Sequence, residues 1–287
     1  MSVTPVKVLK AAFCQVAVVD DLRVNVENAI SAIRNAVKTK SGVKLVVLPE
    51  TFNCPYGTEH FRKFSEPVPS GYTCQKLSKV CKELDIFLIA GSIIEIDEQG
   101  KLYNTVTIWN PKGELIGKHR KIHLFDISVT RNGGCIFKES SVLTPGDKPT
   151  IVTIEGRKFG IGICHDIRFD ELAKLYALEG CQAIIYPSGF DVCQGEMYWK
   201  LLQQARAIDN SCFVGMICAA RDSSASYVDY GHSMLVNPWG DVLVEAGEGE
   251  ETVFVDFDFS IIDDYKRELP ILSQRRTDLY GVNYKKF

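Results

Sequence analysis

Cys164 closes the apolar run Phe159-Gly-Ile-Gly-Ile-Cys164, and Asp166-Ile-Arg-Phe-Asp-Glu-Leu-Ala173 follows, with Leu172, Leu175 and Tyr176 on one helical face. The pattern predicts a thiol at a strand-to-helix junction, near a helix N-terminus, where backbone N–H groups and the helix dipole favour thiolate. Two more segments place a reactive side chain just beyond an apolar strand. One is Lys44-Leu-Val-Val-Leu-Pro-Glu50, whose carboxylate could act as a general base with a pKa raised by partial burial. The other is Gly117-Lys-His-Arg-Lys121-Ile-His-Leu-Phe-Asp126, whose Lys121 could stabilise an oxyanion. Taken singly, each has a plainer reading: a solvated carboxylate, a basic surface loop and a buried small hydrophobe. Taken together they supply what amide hydrolysis by a thiol needs. A base must take the thiol proton and return it to the departing ammonia, and a cation must meet the tetrahedral oxyanion. Spacing alone does not bring the three together in space.

Such residues need a scaffold, and the chain is large enough to build one. It has 287 residues, 46% of them hydrophobic, enough for one large core or two modest domains. A net charge of −3 with no basic stripe argues against nucleic acid as a partner. The N-terminus lacks the apolar core of a signal peptide, and no apolar run reaches membrane-spanning length. The expectation is a soluble cytoplasmic protein, with a mitochondrial pool left open. Ten cysteines are spread along the chain without a C-x-x-C pair, and Cys14, Cys212 and Cys218 lie inside apolar runs. They read as reduced small hydrophobes rather than a disulfide framework or zinc site. His119 and His123 have i, i+4 spacing, but Arg120 stands where a zincin helix has its Glu, so no metal is expected.

Strand-length apolar runs alternate with amphipathic stretches almost from end to end. Strands are expected over 8–16, 45–48 and 86–90, and helices over 24–37 and around Leu77, Val80, Cys81 and Leu84. Hairpins are expected at Asn110-Pro-Lys-Gly113, between 103–109 and 114–118, and at Asn237-Pro-Trp-Gly240, between 234–236 and 242–244. Further strands are placed near Ile151, Phe159, Ala183 and Phe213 and over 252–257, with helices at 171–178, at 197–208 and from Ser260. No Pro/Gly/Ser-rich linker divides the chain, so the prediction is one α/β domain over 1–287 with helices covering sheets. Residues 270–287 have few periodic apolar positions and read as an arm on a partner subunit or a loosely docked tail.

At this point the chain resembles the nitrilase superfamily of carbon–nitrogen hydrolases over nearly its whole length. Leu48-Pro-Glu50-Thr-Phe-Asn-Cys-Pro-Tyr-Gly57, His119-Arg-Lys121-Ile-His-Leu-Phe-Asp126 and Gly160-Ile-Gly-Ile-Cys164-His-Asp-Ile-Arg-Phe-Asp-Glu-Leu172 resemble its three catalytic motifs. Phe137-Lys-Glu139-Ser, Leu143-Thr-Pro-Gly146, Ala205-Arg-Ala-Ile-Asp-Asn210 and Tyr230-Gly-His-Ser233 resemble its supporting segments. Asn53-Cys-Pro-Tyr-Gly57, Ala225-Ser-Tyr-Val228 and Val236-Asn-Pro-Trp-Gly240 are similar to the omega-amidase branch in particular.

The resemblance implies a four-layer αββα sandwich of two facing mixed sheets flanked by helices, assembled as a homodimer with 270–287 at its interface. It implies release of ammonia from 2-oxoglutaramate and 2-oxosuccinamate through a thioester, without a cofactor or metal. By the same resemblance Glu50 is the base and acid, Lys121 the oxyanion stabiliser, Cys164 the nucleophile and Glu139 the group that orients Lys121 or the amide. The backbone N–H of His165 completes the oxyanion hole, and Arg168 meets the substrate carboxylate, a fit for a guanidinium fork; its plainer reading is a salt bridge to Asp166 or Glu171. Tyr56, Phe125 and Phe190 are pocket walls, with Gln194 a substrate contact. The chain departs from the branch at His165 (usually Tyr), Asp170 (Pro or Ala), Asp191 (Asn) and Gln194 (Thr), and 128–135 reads as a longer loop beside Lys121. Alternatives are a sister amidase for deaminated glutathione or an N-carbamoyl amine, a non-catalytic binding protein on the same fold, and a thiol sensor.

Overall fold

A computed structural model describes residues 4–130 and 135–282. In a first sheet, β1 (Val8–Gln15), β2 (Leu45–Val47) and β3 (Phe87–Ile96) run parallel. β4 (Leu102–Trp109) and β5 (Leu115–Arg120) extend this sheet antiparallel beyond β3. A ribbon of β6 (Asp126–Val129) and β7 (Cys135–Lys138) stands apart. The second sheet repeats the plan: β8 (Thr150–Ile154) is antiparallel to β9 (Arg157–Ile161), which runs parallel with β10 (Ala183–Pro187) and β11 (Phe213–Ile217). β12 (Met234–Val236) and β13 (Val242–Glu245) continue it antiparallel, and β14 (Glu251–Asp258) returns to pair with β1.

The helices are α1 (Leu22–Thr39), α2 (Thr58–Phe61), α3 (Tyr72–Leu84), α4 (Asp170–Leu178), α5 (Val192–Asn210) and α6 (Ser260–Glu268). α1 and α3 cover one outer face, packing Ile30, Ile33, Leu77 and Val80 on Ala12, Cys14, Val46 and Leu88. The inner face of the same strands turns Phe13, Val47 and Ile89 into a core shared with Phe159, Ile185, Phe213 and Phe257. α4 and α5 cover the second sheet. The layers are therefore helix, sheet, sheet, helix, as expected. Central strands buried on both faces explain why their sequences read as unbroken apolar runs rather than alternations.

Element types agree with the sequence reading where periodicity is strong, and the ends differ for local reasons. β3 runs past Ala90 to Ile96 because Gly91, at φ +51°, makes an irregularity that lets the strand continue. α5 begins at Val192, five residues before the apolar stripe, because the Asp191 carboxylate caps it by accepting from the Gln194 N–H at 2.9 Å. The 128–135 loop is the tip of the β6–β7 ribbon, and its residues 131–134 lie outside the described residues. Residues 270–282 form turns without strand or α-helix, and Gly281 and Val282 border a groove with Phe169, Leu172 and Leu175. Residues 283–287 of the expected arm lie outside the described residues. Among the described residues, no helix is long and apolar enough to cross a membrane.

Candidate active site

The site gathers at the carboxyl ends of β2, β9 and β10, where open parallel sheets place ligands. Glu50 follows β2 through Leu48 and Pro49, and its segment is moored to β3. Ser92 N–H donates to the Pro49 carbonyl at 3.2 Å, and Ser92 Oγ accepts from Thr51 N–H at 2.9 Å. The Pro49 carbonyl comes so near Gly91 that a Cβ there would sit 2.0 Å away, so only glycine fits. Lys121 follows β5. Its N–H donates to the Asn104 carbonyl at 2.8 Å, while the Asn104 side-chain amide donates to Glu50 Oε1 at 2.7 Å. One β4 residue thus holds both motifs.

At the centre Lys121 Nζ bridges Glu50 Oε1 at 2.9 Å and Glu139 Oε1 at 3.0 Å. Lys121 and Glu139 are wholly buried and Glu50 is 2% exposed. Glu139 is fixed further by the Tyr56 hydroxyl at 2.7 Å and the Phe125 N–H at 2.6 Å. Burial works against the Lys121 charge, but the Glu139 and Glu50 carboxylates outweigh it and hold the pKa above the ordinary lysine range. Glu50 is different. Burial pushes its pKa up, aided by the Glu139 charge and opposed by Lys121, and among the described residues its Oε2 has no hydrogen-bond partner.

Cys164 lies beside Glu50, close enough that the thiol and the carboxyl perturb each other's ionisation. It sits at φ +45°, a left-handed conformation that L-residues adopt at a cost. Cys164 opens a 3-10 turn, Cys164–Arg168, and α4 starts only at Asp170, so the α-helix that follows the thiol does not begin at the sulfur. Burial and the Glu50 charge push the thiol pKa well up, against the pull of Lys121 and the Gly189 N–H. The sulfur is a thiol awaiting a base, not a preformed thiolate.

The elbow is held by residues that motif reading did not assign. Asp166 accepts from Ile163 N–H (2.9 Å), His123 N–H (2.9 Å), His123 Nδ1 (2.7 Å) and His119 Nε2 (3.2 Å). From α5, Arg206 donates to the carbonyls of Ile167 at 2.8 Å and Arg168 at 2.9 Å. The signal was present in two histidines flanking Lys121 and an acid two residues after the thiol, but spacing does not say that these meet.

The remaining predicted residues surround this core. Arg168 forms a salt bridge with neither Asp166 nor Glu171. Its guanidinium donates to Gln194 Oε1 at 2.7 Å and lies 5.3 Å from the Phe190 ring centre and 4.8 Å from that of Tyr198. Burial lowers its pKa. Phe125 meets the His165 ring edge-on at 5.3 Å, and Tyr56 stacks on Phe137 at 5.3 Å. The His165 ring has its pKa lowered to about 4 by burial and by the Lys121 and Arg168 charges, so it is neutral near pH 7. The arrangement can take a proton from a thiol, hold a developing oxyanion beside an ammonium, and present a guanidinium to an anion.

Comparison with known proteins agrees with this chemistry. The model of the carbon–nitrogen hydrolase family matches residues 10–267. Omega-amidase NIT2 of Homo sapiens is 47% identical over 262 residues, 91% of this chain and 93% of that protein. Nitrilase homolog 2 of Dictyostelium discoideum is 47% identical over 278 residues, 96% of this chain and 83% of that one. The crystal structure of Saccharomyces cerevisiae Nit3, a member of branch 10 of the nitrilase superfamily, has a TM-score of 0.87 at 40% identity, covering 94% of this chain and 97% of that one. With its buried Glu–Lys–Glu centre beside a strained cysteine, and with likeness of this extent, the chain belongs to the carbon–nitrogen hydrolase family of the nitrilase superfamily.

Proposed function

We propose that the chain is an omega-amidase, a thiol hydrolase of 2-oxo-dicarboxylic acid monoamides such as 2-oxoglutaramate and 2-oxosuccinamate. The observation that carries this reading is the Lys121 bridge between Glu50 and Glu139 beside Cys164. Glu50 takes the Cys164 proton as the sulfur attacks the amide carbon. Lys121 and the His165 N–H hold the oxyanion. The C–N bond then breaks, ammonia leaves with the proton from Glu50, and a thioester remains on Cys164. Water, deprotonated by Glu50, releases the oxo-diacid. A raised Glu50 pKa suits a group that must take and return the same proton. At the far end Arg168, a guanidinium partly withdrawn from water and held by an amide rather than a carboxylate, is matched to the substrate carboxylate.

The test is ammonia release. The wild-type protein should turn over 2-oxoglutaramate faster than deaminated glutathione or an N-carbamoyl amine, and Cys164→Ala should release none. Full activity in that variant overturns the mechanism, and preference for deaminated glutathione overturns the substrate. The same reading includes a cytosolic homodimer. Exposed Leu178, Leu201 and Ile208 on α4 and α5 support the assembly, and a monomer by light scattering at micromolar concentration would reject it.

A further inference from the structure

The mechanism above leaves one carboxyl group of the site unused. Asp229 lies in the segment between β11 and β12, tied through its backbone to Asp191 in an isolated antiparallel bridge. Its Oδ1 and the unpartnered Glu50 Oε2 each lie 3.2 Å from the point that a Cβ on Gly189 would occupy, with the Tyr56 ring 3.7 Å from it. The Gly189 N–H in turn faces the Cys164 sulfur. The two carboxyl oxygens therefore face one another across the Cα of Gly189, the residue whose N–H meets the thiol. Glu50 and Asp229 also share a cavity of about 40 Å³ with Thr51, Tyr56 and Tyr227, room enough for a water or an ammonia molecule. Around Asp229, the Cys218 thiol donates to Oδ1 at 3.7 Å, and Glu50 and Asp191 are the charged neighbours. Burial and then the Glu50 charge push its pKa up to about 8, so at neutral pH it is largely a carboxylic acid, able to accept and to donate.

During collapse of the tetrahedral intermediate the leaving nitrogen must be within hydrogen-bond reach of Glu50, which hands it a proton. Asp229 lines the same cavity as Glu50, so a nitrogen held at Glu50 Oε2 has the Asp229 carboxyl facing it. We propose that Asp229 is a specificity-determining residue that contacts the leaving nitrogen: Glu50 and Asp229 take the two N–H bonds of a primary amide, and the site thereby favours release of ammonia over release of a substituted amine. The inference rests on the thiol-amidase reading of Cys164. The C–N bond breaks with its electron pair on nitrogen, the proton comes from Glu50, and Asp229 keeps its own proton throughout. An N-alkyl group would put carbon against the half-buried Asp229 carboxyl and leave it unpaired, the kind of mismatch that polar pockets reject most strongly.

The test compares three substrates of one acid in the full-length protein: 2-oxoglutaramate, its N-methylamide, and the corresponding methyl ester, whose leaving oxygen carries no N–H. Wild type should prefer the primary amide. Asp229→Ala should lose about tenfold or more in kcat/KM for the primary amide, with the N-methylamide to primary-amide ratio rising by a similar factor. Ester turnover should stay within about threefold, since the interaction it lacks cannot be lost. Asp229→Asn, which keeps an acceptor of the same shape, should retain most of the preference for the primary amide. An unchanged ratio in the Ala variant, or equal losses on amide and ester, overturns the inference alone. A wild-type protein that hydrolyses none of these substrates overturns the amidase reading and this one with it.

Discussion

Glu50 and Asp166 are carboxylates in the connections that leave β2 and β9, one from each sheet, and both are buried, at 2% and 0% exposure. Asp166 has both oxygens occupied. Oδ1 accepts from the His123 N–H and Nδ1, and Oδ2 accepts from the Ile163 N–H and His119 Nε2. Burial favours its neutral form, but the bonds from His119 and His123 outweigh it and hold the pKa well below the ordinary 3.8. Glu50 has Oε1 occupied by Asn104 and Lys121 and Oε2 empty, and for it burial wins. The difference separates two uses of a buried acid. Once its acceptor positions are filled, a carboxylate is committed to its charge and can only hold shape; half-filled, it can trade a proton. Asp166 ties Ile163, and with it the strained Cys164, to the stretch that carries Lys121. The fixed acid therefore keeps the working acid's partners in register.

Exchanging each acid for its amide should separate the two roles. Glu50→Gln should lower kcat/KM by about ten-thousandfold, because it removes the base that takes the thiol proton. Its thermal midpoint should be equal to or higher than wild type. A carboxyl whose native pKa exceeds the ordinary 4.5 costs stability as pH rises through that window, and the amide escapes the cost. A collapsed fold in Glu50→Gln would erase the contrast. Asp166→Asn should do the reverse, destabilising by about 2–3 kcal/mol through lost charge-assisted bonds while keeping more activity than Glu50→Gln. Urea unfolding and ammonia release on the same samples check both. Acid should expose the same asymmetry more gently. The Asp166 contribution is complete above the unfolded carboxyl's value of 3.8 and is lost as pH falls toward the depressed native value. Wild type should therefore lose stability below about pH 4, and Asp166→Asn should show a flatter acid limb in urea midpoints.

The same contrast explains what could be read from the sequence. The layers were legible because Phe13, Val47, Phe159 and Ile185 belong to runs that must be buried on both faces, and the stripes of α1 and α3 have the period of a covering helix. Glu50, Lys121 and Cys164 were legible because each stands just past such a run. Asn104 was hidden inside one: Tyr103–Trp109 reads as a strand, and nothing local says that its one amide crosses to Glu50. Asp166 and Asp229 were missed for the same reason, since their partners are 43 or more residues away for the histidine side chains and on another element for Glu50. The state of the thiol was misread because the helix-dipole argument is local, whereas burial depends on what the whole fold brings around the sulfur.

Arg168 poses the contrast with the sign of charge reversed. Among the described residues it has no salt-bridge partner, and its one hydrogen bond goes to a neutral amide. Like Glu50 it is left half-matched, here on a half-buried charge, which fits a group that completes its partnership with a ligand. Arg168→Lys loses the planar fork and keeps the charge, so KM for 2-oxoglutaramate should rise about tenfold with kcat little changed, while hydrolysis of an uncharged aliphatic amide should hardly move. Gln194→Ala should give the same pattern at about two- to threefold, since Gln194 orients the guanidinium and touches the substrate less. Steady-state kinetics on the two amides decide the matter. Equal losses on the charged and the uncharged amide would make Arg168 part of the wall that Phe190 and Tyr198 form, and the substrate carboxylate would then need another cation, since Lys121 already bridges two carboxylates.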